Sequence, residues 1–573
     1  MARPKLQGRA FYESLGSPKH IVAPMVDQSE FAWRLLTRSF LPPDLRTSIL
    51  AYSPMLHAKM FAESPKYRAS HFEPLQPPLS LAQPGDAEQQ KAADLEKDAY
   101  MDGNPKIDRP LFVQFCANDA EHFLEAAKIV QPYCDAVDLN LGCPQGIARR
   151  GNYGSFLQED WGTIHKLIRT LHEKLDIPVT AKMRVLETRE KTLEYAKMIL
   201  DAGASIITVH GRQREQKGHN TGLADWKMLR FLRESLPPDT VIFANGNILQ
   251  HGDIQTCLEE TKADGVMSAE GNLYDPSIFA TPPLAGEEGR EYWRGRDGKG
   301  GYRCDAVLRR YLDIIHTHVL RKDPPPRHSL FLPSDEPSPE QRAAQEESKR
   351  KLEPETNGHS PKDDGQPPTK KQKREAAKQQ HEEKKKNGSK QEKTNAANLV
   401  AMQAHCFHIL RPLVSKHHNV RDALARSRVG DIEAYENVLT LTEAAVREGL
   451  LEYERDPPPF EDAAEEDAKA EVENSPDESS VEAVKRCKRP YWVCQPYVRP
   501  LPKEALEKGS MQLSKKQIKK LEKANEEAKK SGVAPEGRVE SVQPPEREEE
   551  ATKGAIDGET GNVELPKEGM VAG

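Results

Sequence analysis

Cys143 lies in the run Leu139-Asn-Leu-Gly-Cys-Pro-Gln-Gly146, where Pro144 and the flanking glycines fix a turn that projects a thiol. A thiol so placed can serve as a proton donor or a nucleophile. The competing reading is a small packed hydrophobe, the commoner fate of a cysteine at a strand end. Other polar groups recur at the ends of short apolar runs. They are Pro24, Met25 and Val26, then Ser53, Gln114, Asn140, Lys182 and Arg184, His210 with Arg212, Asn245-Gly246-Asn247, and Ala269-Glu270-Gly271. Together they supply amide, ammonium and imidazole donors, suited to negative charge developing on a bound group. Two glycine-containing turns offer backbone N–H groups of the kind that cradle phosphate. Nothing has the spacing of a Walker motif. His405-Cys-Phe-His408 and His417-His418 match no common zinc set, so no metal is expected.

Eight short apolar runs must position these residues: His20–Met25, Leu50–Leu56, Pro110–Cys116, Ala136–Gly142, Pro178–Val185, Ser205–Gly211, Thr240–Asn247 and Ala263–Gly271. Their nearly unbroken apolar character suits parallel strands buried on both faces. The gaps carry a 3.6-residue period, as at 121–130, 161–175, 192–202 and 226–235. Eight strand–helix units predict an α/β fold, a (β/α)8 TIM barrel over residues 1–285, with an open doubly wound sheet as the alternative. In such a barrel the strand C-termini gather at one mouth, which unites the polar set. A flavin mononucleotide (FMN) suits that mouth. Gln114, Lys182 and His210 would donate to its ring system, and the turns at Gly246 and Gly271 would hold its phosphate.

Beyond the barrel the pattern changes. Residues 75–108 read as a surface insertion. Residues 300–322 with 395–455 read as a small all-α helical domain, interrupted by a disordered basic linker at 323–394. Residues 456–573 read as a mostly disordered tail, apart from the aromatic and basic stretch Lys485–Pro500. The whole chain has 573 residues and a formal net charge of -7, so no uniformly basic surface exists, although acidic tails can mask a basic patch. Eight cysteines without regular spacing argue against a disulfide framework and for a reducing compartment. Neither a secretory signal nor a run of the ~18–20 apolar residues a membrane helix needs is seen, so no membrane association is expected. Lys370–Arg374 and Lys384–Lys386 read either as a nuclear import signal or as solvated charge, giving a cytoplasmic and/or nuclear expectation.

The motifs APMV (23–26), VQF (113–115), LNLGCP (139–144), AKMR (181–184), TVHGR (208–212) and ANGN (244–247) resemble those of the tRNA-dihydrouridine synthase family. The resemblance covers roughly residues 18 to 280. The AEGNL ending, Ala269–Leu273, is similar to the eukaryotic branch that acts at positions 16 and 17 of the tRNA D-loop. What the resemblance implies is an FMN enzyme reduced by NADPH or NADH. It would pass hydride to carbon 6 of an extruded uridine, with Cys143 protonating carbon 5. Asn140, Lys182 and Arg184 would orient the uracil. Arg149, Arg150 and Arg212 would meet the tRNA, with ordinary solvated charge as their alternative. The helical part resembles the family's RNA-binding extension, with Arg309, Arg310, Arg411, Lys416, Arg421, Arg426 and Arg428 as candidate phosphate contacts. No obligate protein partner is evident.

One departure stands out. Most of the family carries Gly-Arg near 269–270, whereas here Glu270 takes the arginine's place. Two other functions remain in view. One is an FMN barrel oxidoreductase for a small pyrimidine-like molecule, which would turn over without tRNA. The other is an RNA-binding protein with a vestigial barrel, which would hold no flavin.

Overall fold

The computed structural model describes residues 5–75, 101–335, 396–456 and 479–507. Strands form where the apolar runs predict them: β1 (His20–Val22), β2 (Ile49–Tyr52), β3 (Leu56–His57), β4 (Leu111–Cys116), β5 (Ala136–Leu141), β6 (Val179–Arg184), β7 (Ile206–His210), β8 (Val241–Asn245) and β9 (Gly265–Ser268). Every residue of β4 through β9 is buried, as strands covered on both faces must be. All pair in parallel, in the order β2-β1-β9-β8-β7-β6-β5-β4-β3, and a further β2–β4 pairing closes the circle. The second stave is broken. β2 pairs with the start of β4 and β3 with its end, with Ser53-Pro54-Met55 between them. Eight staves therefore build a (β/α)8 barrel.

The intervening helices start where a side chain can satisfy the first free backbone N–H groups. Asp119 accepts from the N–H groups of Glu121 and His122, Asp160 from Thr163, Thr188 from Lys191 and Asp225 from Met228. The helix Trp161–Lys174 buries Ile164, Leu167, Ile168 and Leu171, one stripe at helical spacing.

A hairpin, β10 (Tyr292–Arg294) and β11 (Gly300–Tyr302), leads to the helical part. Its helices are Cys304–Ile314, Met402–Ile409, Arg411–Lys416, His418–Arg426 and the long Ile432–Arg455. They pack directly on the barrel. Trp33 stacks on His405 with ring centres 4.0 Å apart, and the His405 ring meets the Glu30 carboxylate at 3.0 Å. One continuous apolar cluster runs from Ile21 and Leu111 in the barrel to Tyr311, Leu410 and Val446 in the helices.

Three expected boundaries change. Residues 76–100 of the expected surface insertion lie outside the described residues, but Met101, Asp102 and Asp108 are buried. Arg34, fully buried behind β1, donates to Asp102 at 2.8 Å and to both oxygens of Asp108, and this draws the segment inward. Of the expected linker, residues 323–335 pack on the helices: Leu330 is buried and Arg327 pairs with Asp313 and Glu436. Of the expected tail, residues 479–507 return to the barrel, with Trp492, Val493 and Cys494 buried. The basic runs at 370–374 and 384–386 lie outside the described residues. No helix among the described residues is long and apolar enough to cross a membrane.

Candidate active site

Side chains alternate along a strand, so residues two apart share a face. Asp138 and Asn140 on β5, and Thr180, Lys182 and Arg184 on β6, therefore line one side of their strands. The register sets Asn140 beside Lys182, Arg184 beside His210, and His210 beside Asn245. A polar layer results at the C-terminal ends of neighbouring staves.

A chain of hydrogen bonds holds the Cys143 turn from below. Thr180 Oγ1 donates to Asp138 at 2.6 Å, and Gln114 Nε2 donates to the other Asp138 oxygen at 2.8 Å. Asn140 Nδ2 donates to Gln114 Oε1 at 2.7 Å, and Asn140 Oδ1 accepts from the N–H groups of Gly142 and Cys143 at 3.1 and 2.9 Å. From the sides, Arg184 Nε donates to the Gly142 carbonyl at 2.7 Å and Lys217 Nζ to the Pro144 carbonyl at 2.5 Å. Cys143 itself is buried, packed with Cys116, Ala148 and Tyr153. Burial raises its pKa above the ordinary thiol value, against the pull of a Gln145 backbone contact and of Arg184, Lys182 and Lys217. The group is a protonated thiol at neutral pH, able to give up a proton.

Three buried groups at this mouth keep hydrogen-bonding capacity that no described residue takes up. The Lys182 ammonium hydrogen-bonds no described residue. Burial, reinforced by Arg184, lowers its pKa to about 7, although Asp138 and Cys143 act the other way. The His210 pKa is driven well below its usual value by burial and by Arg184, Lys182 and Arg212, so the ring is neutral. Arg212 Nη1 donates to His210 Nε2 at 3.1 Å, which leaves the proton on Nδ1, and that N–H has no acceptor among the described residues. Asn245 donates to the Met267 carbonyl at 3.0 Å but its Oδ1 is unpaired among the described residues. Buried polar groups without partners are rare, and two N–H-bearing groups with one acceptor fit the edge of a flavin ring.

The two expected phosphate turns touch. A Cβ at Gly271 would stand 2.2 Å from the Ile248 carbonyl, so only glycine allows the approach. Gly246 has φ +116, and its carbonyl accepts from Trp226 Nε1 at 3.1 Å. Asn247 accepts from Arg212 Nη2 at 2.8 Å and joins the loops that follow β7 and β8. Pro24 and Met25 are buried at the end of β1 with Val26 half-buried, and Ala269 is buried beside the half-buried Glu270.

The sequence-predicted residues thus converge, with some reassigned to support. Gln114 has both ends of its amide engaged within the protein. Arg184, expected to orient substrate, braces the Gly142 carbonyl. Arg212, expected to meet tRNA, holds His210, Asn247 and the Gly222 carbonyl. Arg149 and Arg150 stay exposed on the helix Gly146–Gly151, directly after Cys143. In the helical part, Arg309 pairs with Glu443, Arg310 with Glu291, Lys416 with Glu452 and Arg421 with Asp422, whereas Arg426 and Arg428 are exposed. Asp138 and Arg499 escaped the sequence reading. Asp138 carried a signal, since it stands two residues before Asn140. Arg499, which grips Glu270 at 2.7 Å, lies 229 residues further along the chain.

The dihydrouridine synthase family model matches residues 21–293. Over 504 residues the chain is 38% identical to tRNA-dihydrouridine(16/17) synthase [NAD(P)(+)] of Schizosaccharomyces pombe, covering 87% of this chain and 93% of that protein. It is 50% identical over 311 residues to the protein of that name in Saccharomyces cerevisiae, covering 54% of this chain and 63% of the relative. The rat tRNA-dihydrouridine(16/17) synthase [NAD(P)(+)]-like protein is 43% identical over 318 residues, covering 55% of this chain and 60% of its own length. On the near-complete match to the fission-yeast protein, together with the family model and the site geometry, the chain belongs to the dihydrouridine synthase family.

Proposed function

We propose that this protein reduces uridine to 5,6-dihydrouridine in the D-loop of tRNA, at positions 16 and 17, with FMN as its flavin and NADPH or NADH as reductant. The carrying observation is a protonated Cys143 held over a buried mouth where Lys182 stands among like charges and the His210 Nδ1 and Asn245 Oδ1 atoms have no partner among the described residues. The names of the relatives supply the tRNA positions and the nicotinamide.

Bound at that mouth, FMN supplies hydride. Lys182 and the His210 Nδ1–H would hold its ring, Asn245 Oδ1 would accept from it, and Arg212 and the Gly246 and Gly271 turns would face its phosphate. Hydride added at carbon 6 of uracil leaves enolate-like charge that a proton delivered to carbon 5 must quench. Cys143 delivers that proton, and Arg184, Lys182 and Lys217 then stabilise the thiolate until solvent restores it. Asn140 keeps the Cys143 turn in place through its two backbone hydrogen bonds. Extruding the uridine costs a few kcal/mol, least in an irregular loop. Arg149 and Arg150 beside the mouth, with Arg426 and Arg428, would hold backbone phosphates against that cost.

The test is dihydrouridine mapping on unmodified tRNA incubated with NADPH and either wild type or Cys143→Ala. Wild type is expected to modify positions 16 and 17. The variant should retain its flavin spectrum and lose about 100-fold or more in rate, the scale of one general acid. Wild type that oxidised NADPH with every uridine left intact would replace this reading with a small-molecule flavin reductase.

A further inference from the structure

The segment 479–507 lies beyond the stretch matched by the family model, yet it ends on the active-site rim. Its course is fixed at several points. Arg486 pairs with Asp253 at 2.9 Å, on the helix that follows β8. Val493 bridges Arg303, and Cys494 N–H donates to the Tyr302 carbonyl at 2.9 Å. Tyr497 then lies under the Arg411 guanidinium, 3.6 Å from its ring centre, and beside Tyr274. Two residues on, Arg499 donates to the Glu270 carboxylate, with Nε 3.1 Å from both oxygens and Nη2 2.7 Å from Oε1. The helix Pro502–Glu507 continues to the turn Gly218–Asn220 after β7. The segment is thus a strap across the rim, from the turn after β9 to the loop after β7.

Glu270 occupies the wrong charge for its place. It follows Ala269 in a turn packed against the Ile248 carbonyl, one of the two turns assigned to the flavin's phosphate. A bare carboxylate there would repel a phosphate dianion. Arg499 cancels it, and Arg212 at the neighbouring turn leaves the local sum positive. A guanidinium fork matches carboxylate and phosphate oxygens alike, so a residue seated on Glu270 is suited to both.

We propose that the strap completes the cofactor site: Arg499, carried in from outside the barrel and seated on Glu270, joins Arg212 in binding the phosphate of the flavin. This rests on the flavin reading above. It makes the strap a binding element rather than a tail, and Glu270 its anchor.

The test compares FMN with riboflavin, which lacks the phosphate, by fluorescence titration of flavin-stripped full-length protein. Wild type should bind FMN well ahead of riboflavin. Arg499→Ala should weaken FMN by about 10- to 100-fold, the scale of a charge-assisted contact, and riboflavin by less than about 3-fold. Adding Glu270→Gln to Arg499→Ala should recover part of the FMN loss, because the repelling carboxylate is gone. Equal weakening of both flavins would overturn the proposal and reduce the strap to a structural clamp, as would an unchanged FMN-to-riboflavin ratio. Should Arg499→Ala fail to fold, the Glu270→Gln/Arg499→Gln protein removes the ion pair without stranding a charge. A smaller loss of ratio is expected of it, since the repelling carboxylate is removed as well, and a wild-type ratio would overturn the proposal. Wild type that bound neither flavin would overturn the flavin reading itself, and this proposal with it.

Discussion

Lys182 and Asp138 show how far single residues depart from their ordinary chemistry here. Burial is the leading cause for both, and it disfavours charge: the lysine falls to about 7 and the aspartate rises to about 6. Between about 7 and 10.5 the unfolded chain keeps a proton on Lys182 that the folded chain has released, so stability rises with pH across that window. Between 3.8 and about 6 the folded chain holds a proton on Asp138 that the unfolded chain has lost, so stability falls as pH rises there. Urea unfolding of flavin-stripped protein should show both slopes, and Lys182→Met should flatten the alkaline one. An alkaline slope unchanged in Lys182→Met would mean that the lysine is not the titrating group. That Lys182, His210 and Cys143 share the barrel mouth was legible because each stands at the end of an apolar run. Asp138 was not, since one acid inside AVDLNLG reads as an interruption until the register with β4 and β6 gives it partners.

At the scale of elements, all eight staves were legible because a strand buried on both faces writes itself as an unbroken apolar run. The break between β2 and β3 was not, since Ser53-Pro54-Met55 interrupts pairing while Ser53 and Pro54 stay buried and Met55 half-buried. The insertion was misjudged at its end for a physical reason. Asp102 and Asp108 look like loop polarity in sequence, and only Arg34, on the helix after β1, turns them inward. That triad is the clasp between the insertion and the barrel. Arg34→Met should cost about 3–5 kcal/mol, because it strands two buried carboxylates. Replacing all three residues by apolar ones should cost much less. Denaturation midpoints of the two proteins decide between a clasp and a passive contact, and a loss below about 1 kcal/mol in Arg34→Met would rule the clasp out.

The whole molecule joins its parts more tightly than the composition suggests. The helical part was readable from its periodicity, but its seat on the barrel was not, because His405 is hundreds of residues from Glu30 and Trp33 and meets them only in three dimensions. The strap was hidden for the same reason, as its short aromatic and basic stretch has no repeat to announce it. The Trp33–His405 stack, the Ala32 N–H donated to Asn398 at 2.9 Å and the shared apolar cluster tie the two parts together across one buried contact. Barrel and helices should therefore unfold in one calorimetric transition, with van't Hoff and calorimetric enthalpies equal. His405→Ala should lower that transition without splitting it, since the buried Glu30 carboxylate loses its partner while the cluster stays continuous. Two resolved transitions in the wild type would show that the helical part is an independent domain resting on the barrel. Positioning of the proposed tRNA substrate against Cys143 would then depend on how the two are linked, rather than on a single rigid body.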